Sequence, residues 1–339
     1  MVRRLLVALT IFCGFSTLGA MEPEVVSKRG QLLISAEKLK ADFDGSKFRV
    51  LDTRDREAYD KGHIPGALLV DMVLWKKNSM QPFGLTDEKL WQEPLDQLAI
   101  TPETQVVVYG DMLPEVARLW WLLKYLGVKH VAILDGGFAS WTKVGGESST
   151  VATVVKPIAH PIEFDTRRYD DLDQLVEMCI TAQNAILIDN RSVGEFTGKA
   201  GFGVRKGHVP GACHVEWVEF LDADGNFLPD EQLRAKLNEA KLSTDVPVIV
   251  HCQSGGRSSV GVFVIELLGY PSPANYYQGW AQYSTDPSLP IETPYRQDDS
   301  YLSQNNRSAA ESCFDFAPNN KCGCSQSKLS QHWQIRNHA

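Results

Sequence analysis

The chain has 339 residues, of which 43% are hydrophobic and 22% are charged, as in an ordinary globular protein. At roughly 150 residues per domain, this length predicts about two domains. The 42 acidic residues outnumber the 34 basic ones. No basic run is dense enough for a nucleic-acid surface, and seven cysteines are too few for a disulfide scaffold. We therefore expect a folded protein that binds no nucleic acid.

Residues 1–20 have the composition of a secretory signal peptide. Arg3 and Arg4 are followed by an apolar run over 5–15 and then by small residues up to Ala20. An uncleaved membrane anchor is the alternative, since the apolar stretch approaches spanning length. We expect cleavage near residue 20, a periplasmic or secreted location, and no membrane association of the mature protein.

The rest of the chain contains two copies of one sequence pattern. Matching segments are 137 residues apart before an insertion of eight residues around 199–206 in the second copy, 145 apart directly after it, and 142 apart from residue 106 onward. Repetition on this scale predicts two domains of one fold, over residues 30–150 and 163–296. The clearest matching segments are 50–54 with 187–191, 62–67 with 207–212, 106–109 with 248–251, and 135–138 with 277–280.

Within each copy, short apolar runs alternate with helical patterns. Helices are predicted over 114–126 and 258–268, and the alternation indicates an α/β fold with helices on both faces of a parallel sheet. Residues 151–162 are predicted as a linker, and the polar residues 297–339 as a poorly ordered tail. The runs that predict buried strands are 48–51, 106–109, 185–188 and 246–251.

The strongest functional signal directly follows the last of these strands. Cys252 ends the strand, a loop with two glycines follows, and a helix begins after it. Loop amides, the helix N-terminus and Arg257 all favour a thiolate over a thiol. We therefore predict that Cys252 is a nucleophile. The residues predicted to bind the reacting group are Gln253, Ser254, Gly255, Gly256, Arg257 and Ser258.

The paired pattern Asp-x-Arg, Gly-His-[Ile/Val]-Pro-Gly-Ala and Cys-x-x-Gly-x-Arg-Ser resembles the rhodanese family of sulfurtransferases. Two copies with a cysteine only in the second loop resemble the tandem thiosulfate and 3-mercaptopyruvate sulfurtransferases. The resemblance implies two rhodanese-like domains, each with a five-stranded parallel sheet, and an active loop at their interface. It also implies a persulfide on Cys252. No cofactor or metal is needed, because the cysteine carries the transferred sulfur.

The first copy lacks the nucleophile. On the spacing of 142, Gly110 stands in place of Cys252, and the carboxylates of Asp111 and Glu115 follow it. These charges would repel a thiolate or an anionic substrate. We predict a structural partner that walls the active cleft, although core packing is the first expectation for each of its candidate tryptophans, Trp75, Trp120 and Trp121.

Loop length distinguishes two chemistries. Protein phosphatases of this architecture use Cys-x5-Arg, whereas Arg257 completes Cys-x4-Arg here. A smaller ring of amides suits one persulfide sulfur better than a tetrahedral phosphate. A phosphatase is therefore the disfavoured alternative.

The sequence constrains the identity of the sulfur donor less than that of the nucleophile. By the resemblance, thiosulfate-specific tandem enzymes carry two basic residues where this chain has Glu195 and Ser254. We expect Arg257 to bind the sulfonate of thiosulfate, with Arg205 or Lys206 of the insertion as a second cation or as solvated surface charge. 3-Mercaptopyruvate and polysulfide are the alternative donors. Cyanide, a small thiol or a protein would accept the sulfur, and a carrier without efficient turnover is a further alternative.

Other conspicuous residues are assigned to structure. Both copies carry an Asp-x-Arg segment, so we expect structural ion pairs there. His63 and His208 are expected to bond backbone groups, since no spacing predicts a zinc site. The remaining cysteines are expected to be core residues at 179 and 213, and disulfide-bonded or unpaired residues in the tail at 313, 322 and 324.

Overall fold

The computed structural model of the protein describes residues 25–42, 48–180 and 185–293. The predicted signal peptide and the predicted tail, with its three cysteines, lie outside these ranges.

The first domain is built on a sheet of five parallel strands in the order β1-β5-β4-β2-β3. Its strands are β1 (Leu33–Ile34), β2 (Phe48–Asp52), β3 (Leu68–Leu69), β4 (Gln105–Tyr109) and β5 (Val131–Leu134). Its helices are α1 (Arg29–Leu32), α2 (Ala36–Asp42), α3 (Arg56–Lys61), α4 (Met72–Met80), α5 (Gln92–Asp96), α6 (Leu113–Tyr125) and α7 (Gly137–Lys143).

The second domain repeats this arrangement with the order β6-β10-β9-β7-β8. Its strands are β6 (Tyr169–Asp170), β7 (Ile186–Asp189), β8 (Cys213–His214), β9 (Val248–His251) and β10 (Ala274–Tyr276). Its helices are α8 (Leu172–Ile180), α9 (Val193–Phe196), α10 (Asp230–Leu237), α11 (Gly256–Leu267) and α12 (Gly279–Tyr283). The two sheets share one strand order, so the predicted duplication and α/β class are confirmed.

The central strands are apolar throughout because both of their faces are covered. In β4, Val106 and Val108 belong to one buried cluster, whereas Val107 and Tyr109 belong to another. Successive side chains of a strand point to opposite faces, so the two clusters lie on opposite sides of the sheet. Such double coverage is typical of parallel sheets, and it agrees with the predicted helices on both faces.

One apolar core is shared by the two domains. It contains the buried face of α6 from the first domain and that of α11 from the second. The ring of Trp120 meets Phe263 edge-on, with their centroids 5.0 Å apart, and Phe263 also contacts Phe227. Since α11 begins at the predicted active loop, this core joins the loop to the first domain.

Two further features concern the setting of the protein. None of the helices in the described ranges is long and apolar enough to cross a membrane. Cys213, expected in the core, is buried in β8 and is disulfide-bonded, which the sequence did not predict.

Candidate active site

Cys252 lies at the carboxyl end of β9, where the strand passes into the loop before α11. The residue is only 1% exposed, and its thiol is free. The loop turns at Gly255, which has a φ of +86° and lies against the ring of Tyr277. A Cβ at this position would lie 2.5 Å from that ring, so the turn requires glycine.

The start of α12 holds the first two carbonyls of the loop. The backbone N–H of Trp280 donates to the carbonyl of Cys252 at 2.8 Å, and that of Ala281 donates to the carbonyl of Gln253 at 3.0 Å. These bonds fix the orientation of the peptide units that follow Cys252 and Gln253.

The next two carbonyls have other donors. Arg118, from α6 of the first domain, donates through Nη1 to the carbonyl of Ser254 at 2.9 Å. The carbonyl of Gly255 accepts from the hydroxyls of Ser258 and Ser259, at 3.0 and 2.7 Å, and from the backbone N–H of Ser259. Four successive carbonyls, those of residues 252–255, therefore each have a hydrogen-bond donor.

This bonding determines where the loop amides point. In a planar trans peptide the N–H is directed opposite to the C=O. The N–H groups of residues 253–256 are thus turned away from the partners of the four carbonyls. Within the ranges that the structure describes, these N–H groups have no hydrogen-bond acceptor. Successive free amides beside a cysteine can bind an anion or an anionic sulfur.

Arg257, in the first turn of α11, forms a bidentate ion pair with Glu195. The two N–O distances are 2.5 and 2.9 Å. Burial alone would raise the pKa of Glu195, but hydrogen bonds and charge from Arg257, with further bonds from Ser192, hold it below its usual value. Arg257, which was predicted to bind the sulfonate of thiosulfate, is therefore already paired with a carboxylate. The sequence did not predict this contact.

Arg205, predicted as a second donor-binding cation, is engaged elsewhere. Its guanidinium nitrogens all donate to backbone carbonyls of the segment 283–289, at Tyr283, Ser284, Asp286 and Leu289. These bonds leave Arg205 few N–H groups for an anion, so the structure does not support its predicted role in binding the sulfur donor. Lys206 is solvent-exposed. Arg205 instead anchors the insertion, in which Gly201 packs against the side chain of Glu195.

The cation that sequence reasoning missed is Arg118. Besides the Ser254 carbonyl, its Nη1 donates to the hydroxyl of Tyr277 at 2.5 Å, and its Nε donates to Glu115 at 3.0 Å. Arg118 is 2% exposed. A buried charge needs specific partners. The single arginine within the apolar helix α6 was therefore the signal in the sequence that could have identified this residue.

Comparison with known proteins agrees with this geometry. The rhodanese-like domain model matches the chain twice, over residues 35–144 and 171–286. The protein belongs to the rhodanese family. The predicted resemblance and the two tandem rhodanese domains are thereby confirmed.

Individual relatives match both rhodanese domains together. The chain is 30% identical to the sulfur carrier protein TtuD of Thermus thermophilus over 279 residues, which are 77% of this chain and 96% of TtuD. It is 33% identical to a Saccharopolyspora erythraea protein named provisionally as a thiosulfate sulfurtransferase, over 79% of this chain and 99% of that protein. A structure of EanB with a persulfide and ergothioneine superposes with a TM-score of 0.70 at 25% identity, covering 79% of this chain and 71% of EanB.

The three tryptophans proposed as cleft walls lie in the rhodanese core. Trp75 packs against Trp91, and Trp120 against Phe263. Trp121 stacks on Tyr277, with the ring centroids 4.9 Å apart, and Tyr277 in turn supports the loop at Gly255. Core packing is therefore confirmed for all three. Trp121 therefore supports the active loop indirectly, through its contact with Tyr277.

A buried ion pair lies behind Cys252. The guanidinium of Arg191 donates to Asp189 at 2.6 to 3.0 Å, and Arg54 bonds Asp52 in the same way in the first rhodanese domain. These contacts confirm the predicted structural pairs. His251 lies beside Asp189, with 3.6 Å between Nε2 and Oδ2. Burial lowers the pKa of His251 to about 4 despite the nearby carboxylate, so this histidine is neutral at pH 7.

The two histidines of the repeated Gly-His-x-Pro-Gly-Ala turns have backbone partners, as predicted. Nδ1 of His63 lies 2.9 Å from the carbonyl of Tyr59, and Nδ1 of His208 lies 2.8 Å from that of Phe196. Both rings also stack on the aromatic ring of the residue that supplies the carbonyl. These histidines therefore hold each turn against the preceding helix.

The first rhodanese domain has a different structure at the position of Cys252. A Cβ at Gly110 would overlap the hydroxyl of Thr53 and lie 3.1 Å from Val116. A cavity of about 300 Å³ adjoins Gly110 and Asp111, and the second domain contributes Asp224, Gly225 and Phe227 to its lining. A cysteine at residue 110 would therefore require the side chain of Thr53 to move.

Proposed function

We propose that the protein is a sulfurtransferase that carries a sulfane sulfur on Cys252. The observation that carries this proposal is the orientation of the loop, in which four carbonyls point outward and the intervening amides point away from them. Free amides around a buried free thiol favour the anionic forms of that sulfur, both thiolate and persulfide. Membership in the rhodanese family supports the same chemistry.

The reaction is a double displacement. The thiolate of Cys252 attacks the outer sulfur of the donor, a sulfur–sulfur bond forms, and the donor's own sulfur bond breaks. With thiosulfate, sulfite leaves with the electron pair of that bond. A nucleophilic acceptor such as cyanide or a thiol then attacks the terminal sulfur, forms the product and returns Cys252 as a thiolate. No redox partner is consumed, because cysteine transfers the sulfur between two nucleophiles.

Thiosulfate is the donor that we place first. Relatives whose names include thiosulfate sulfurtransferase support it, and one of these is a Corynebacterium glutamicum enzyme, 28% identical over 77% of this chain. The ion pair of Arg257 with Glu195 weighs against tight binding of a dianion, because the dianion would have to share Arg257 with the Glu195 carboxylate or displace that carboxylate. 3-Mercaptopyruvate and polysulfide remain the alternative donors.

A sulfur carrier is the second candidate function. The specific support is the similarity to the sulfur carrier TtuD, together with the carboxylate partner of Arg257, which would slow repeated reaction with an anionic donor. A carrier would take up one sulfur and release it only to its own partner protein. Steady-state formation of thiocyanate from thiosulfate and cyanide distinguishes an enzyme from a carrier.

The decisive experiment is mass spectrometry of the intact protein after incubation with thiosulfate, 3-mercaptopyruvate or polysulfide. We expect a gain of one sulfur atom, located on the peptide that contains Cys252 and removed by cyanide. The Cys252→Ser variant should show no gain with any donor. Sulfur uptake by that variant, or uptake by the wild type at another cysteine, would refute the proposal.

We also propose that the mature protein works outside the cytosol. The amino-terminal sequence supports this location, and so does the disulfide at Cys213, because structural disulfides persist in oxidising compartments. Expression with a fused reporter that is active only after export would test it. Retention of the full fusion in the cytosol would contradict the proposal.

A further inference from the structure

Arg118 is a cation that the first rhodanese domain places against the active loop of the second. It lies in the middle of α6, next to residues whose side chains pack in the shared core. Its guanidinium contacts the loop at Ser254 and lies close to Gly256, where a Cβ would be 2.8 Å from Nη2. Burial lowers the pKa of Arg118, but Tyr277, Glu115 and, to a smaller extent, Cys252 in its ionised form together hold it above its usual value.

The duplication provides an internal comparison for this residue. On the spacing of 142, the position of Arg118 corresponds to Val260 in α11 of the second domain. Val260 is fully buried in the shared apolar core, so the fold does not require a charge at this helical position. A buried guanidinium is costly compared with valine unless its hydrogen bonds are satisfied. Of the two equivalent helices, only α6, which contacts the loop that carries Cys252, has an arginine at this position.

The bonds of Arg118 determine the orientation of one peptide unit of that loop. Of the four outward carbonyls, those of Cys252, Gln253 and Gly255 are bonded by groups of the second domain itself. The carbonyl of Ser254 is bonded by Arg118. Because the peptide between residues 254 and 255 is planar, holding this carbonyl directs the N–H of Gly255 to the opposite side.

We propose that Arg118 is a positioning residue of the sulfur site: the domain without a nucleophile orients the Gly255 amide through it and stabilises the anionic sulfur on Cys252. This inference rests on the proposed sulfurtransfer function. Glu115 and Tyr277 hold the guanidinium in place, so that the second N–H of Nη1 reaches the Ser254 carbonyl. The first domain thus contributes one specific side chain to the active loop in addition to apolar packing.

The test compares the full-length wild type with Arg118→Met and Arg118→Lys. Arg118→Met should lower kcat for thiocyanate formation roughly tenfold to hundredfold, because a hydrogen bond from a charged donor is lost. KM for thiosulfate should change much less. The Cys252 persulfide should decay faster, and the pH profile of Cys252 alkylation by iodoacetamide should move to higher pH. Arg118→Lys keeps the charge but not the forked geometry, so it should restore the alkylation profile more fully than kcat.

Lys124→Met is the matched control, because Lys124 lies at the end of the same helix away from the loop and donates to the carbonyl of Lys129. It should behave as the wild type. If folded Arg118→Met keeps the wild-type kcat, persulfide lifetime and alkylation profile, the inference is wrong. If the wild type itself takes up no sulfur from any donor, the proposed function fails, which is a separate result.

A second variant covers the case in which Arg118→Met does not fold. In Gly256→Ala the new methyl group would lie 2.8 Å from Nη2 of Arg118 and 3.1 Å from the carbonyl of Pro114, so the end of the Arg118 side chain must move while the arginine itself is retained. We expect the same loss of kcat and the same shift of the alkylation profile. Wild-type behaviour of Gly256→Ala would overturn the inference. When Arg118→Met folds, the two changes combined should be less than additive, because they act through the same contact.

Discussion

Glu195 and Arg257 form a bidentate ion pair that joins the start of α9 to the first turn of α11, with N–O distances of 2.5 and 2.9 Å. Glu195 also completes a capping box with Ser192, and Gly201 of the insertion packs against its side chain. The carboxylate is therefore held in place from three directions. Its negative charge partly neutralises Arg257, the cation that would bind an anionic sulfur donor.

Replacing Glu195 with glutamine should improve the use of thiosulfate. Glutamine can keep the capping box, so the change removes the charge while preserving the helix start. We expect KM for thiosulfate to fall by about tenfold, equivalent to about 1.4 kcal/mol of binding free energy. Since Arg257 keeps the pKa of Glu195 below its usual value, the difference should persist across pH 5 to 8.

Steady-state kinetics with thiosulfate and cyanide measure this effect. Glu219→Gln is the control, because Glu219 also forms a capping box and an ion pair, with Lys236, on the surface. It should leave KM unchanged. An unchanged or higher KM for Glu195→Gln would mean that the carboxylate does not limit access of the donor.

Arg205→Ala should act on stability and leave KM for thiosulfate close to its wild-type value. The guanidinium bonds four backbone carbonyls, so its removal leaves the insertion and the segment 283–289 without their common partner. We expect a loss of about 2 to 3 kcal/mol in the free energy of unfolding, measured by urea denaturation. Lys206→Ala, one residue away and exposed, is the control and should be neutral. A clear rise in KM without lost stability would restore Arg205 as a donor ligand.

His251 should make the protein less stable in mild acid. Its pKa is about 4 in the folded protein, mainly because of burial, against about 6.5 in an unfolded chain. Between these values the unfolded chain binds a proton that the native protein does not. His251 should therefore contribute a fall of about 1.4 kcal/mol per pH unit to the free energy of unfolding as the pH drops from 6.5 toward 4.

Urea denaturation at pH 7, 6 and 5 tests this prediction. His251→Gln cannot titrate, so its slope with pH should be shallower than that of the wild type by about this amount. His208, whose pKa is also lowered, mainly by burial, is present in both proteins and cancels in the comparison. Parallel slopes for the wild type and His251→Gln would contradict a neutral buried imidazole.

A cysteine placed in the first copy should not create a second site. In a Cys252→Ser background, Gly110→Cys would force its Cβ against the hydroxyl of Thr53 and close to Val116. We expect no sulfur uptake in the mass measurement and a loss of about 1 to 3 kcal/mol of stability from overpacking. Sulfur uptake by this double variant would show that the first loop retains a working amide cradle.

The sequence predicted the fold because its evidence is repeated and local. Two copies of the same motifs, with apolar runs between helical patterns, were enough for two parallel α/β sheets. The same holds for Cys252, since its strand, glycine loop and helix are consecutive in the chain. The ion pairs at Asp52 and Asp189 are also local, because each arginine lies two residues after its aspartate.

The charge partners at the site were not predictable in this way. Arg257 follows Cys252 by five residues, but its partner Glu195 is 62 residues away in the sequence. Arg205 lies in the insertion just before the second Gly-His-x-Pro-Gly-Ala turn, and its guanidinium bonds carbonyls of the distant segment 283–289. Local spacing identifies a cation, whereas only the packing of distant segments determines whether that cation is already paired.

The sequence by itself determined the duplication, the α/β class, and the presence of a cysteine between strand and glycine loop in the second copy but not in the first. These properties follow from periodicity and from residues that are neighbours in the chain. The tertiary structure alone decided that Glu195 pairs with Arg257 and that Arg118, 136 residues before Ser254, holds the active loop. The physical reason is that α6 and α11 meet only when the two domains bury one common core.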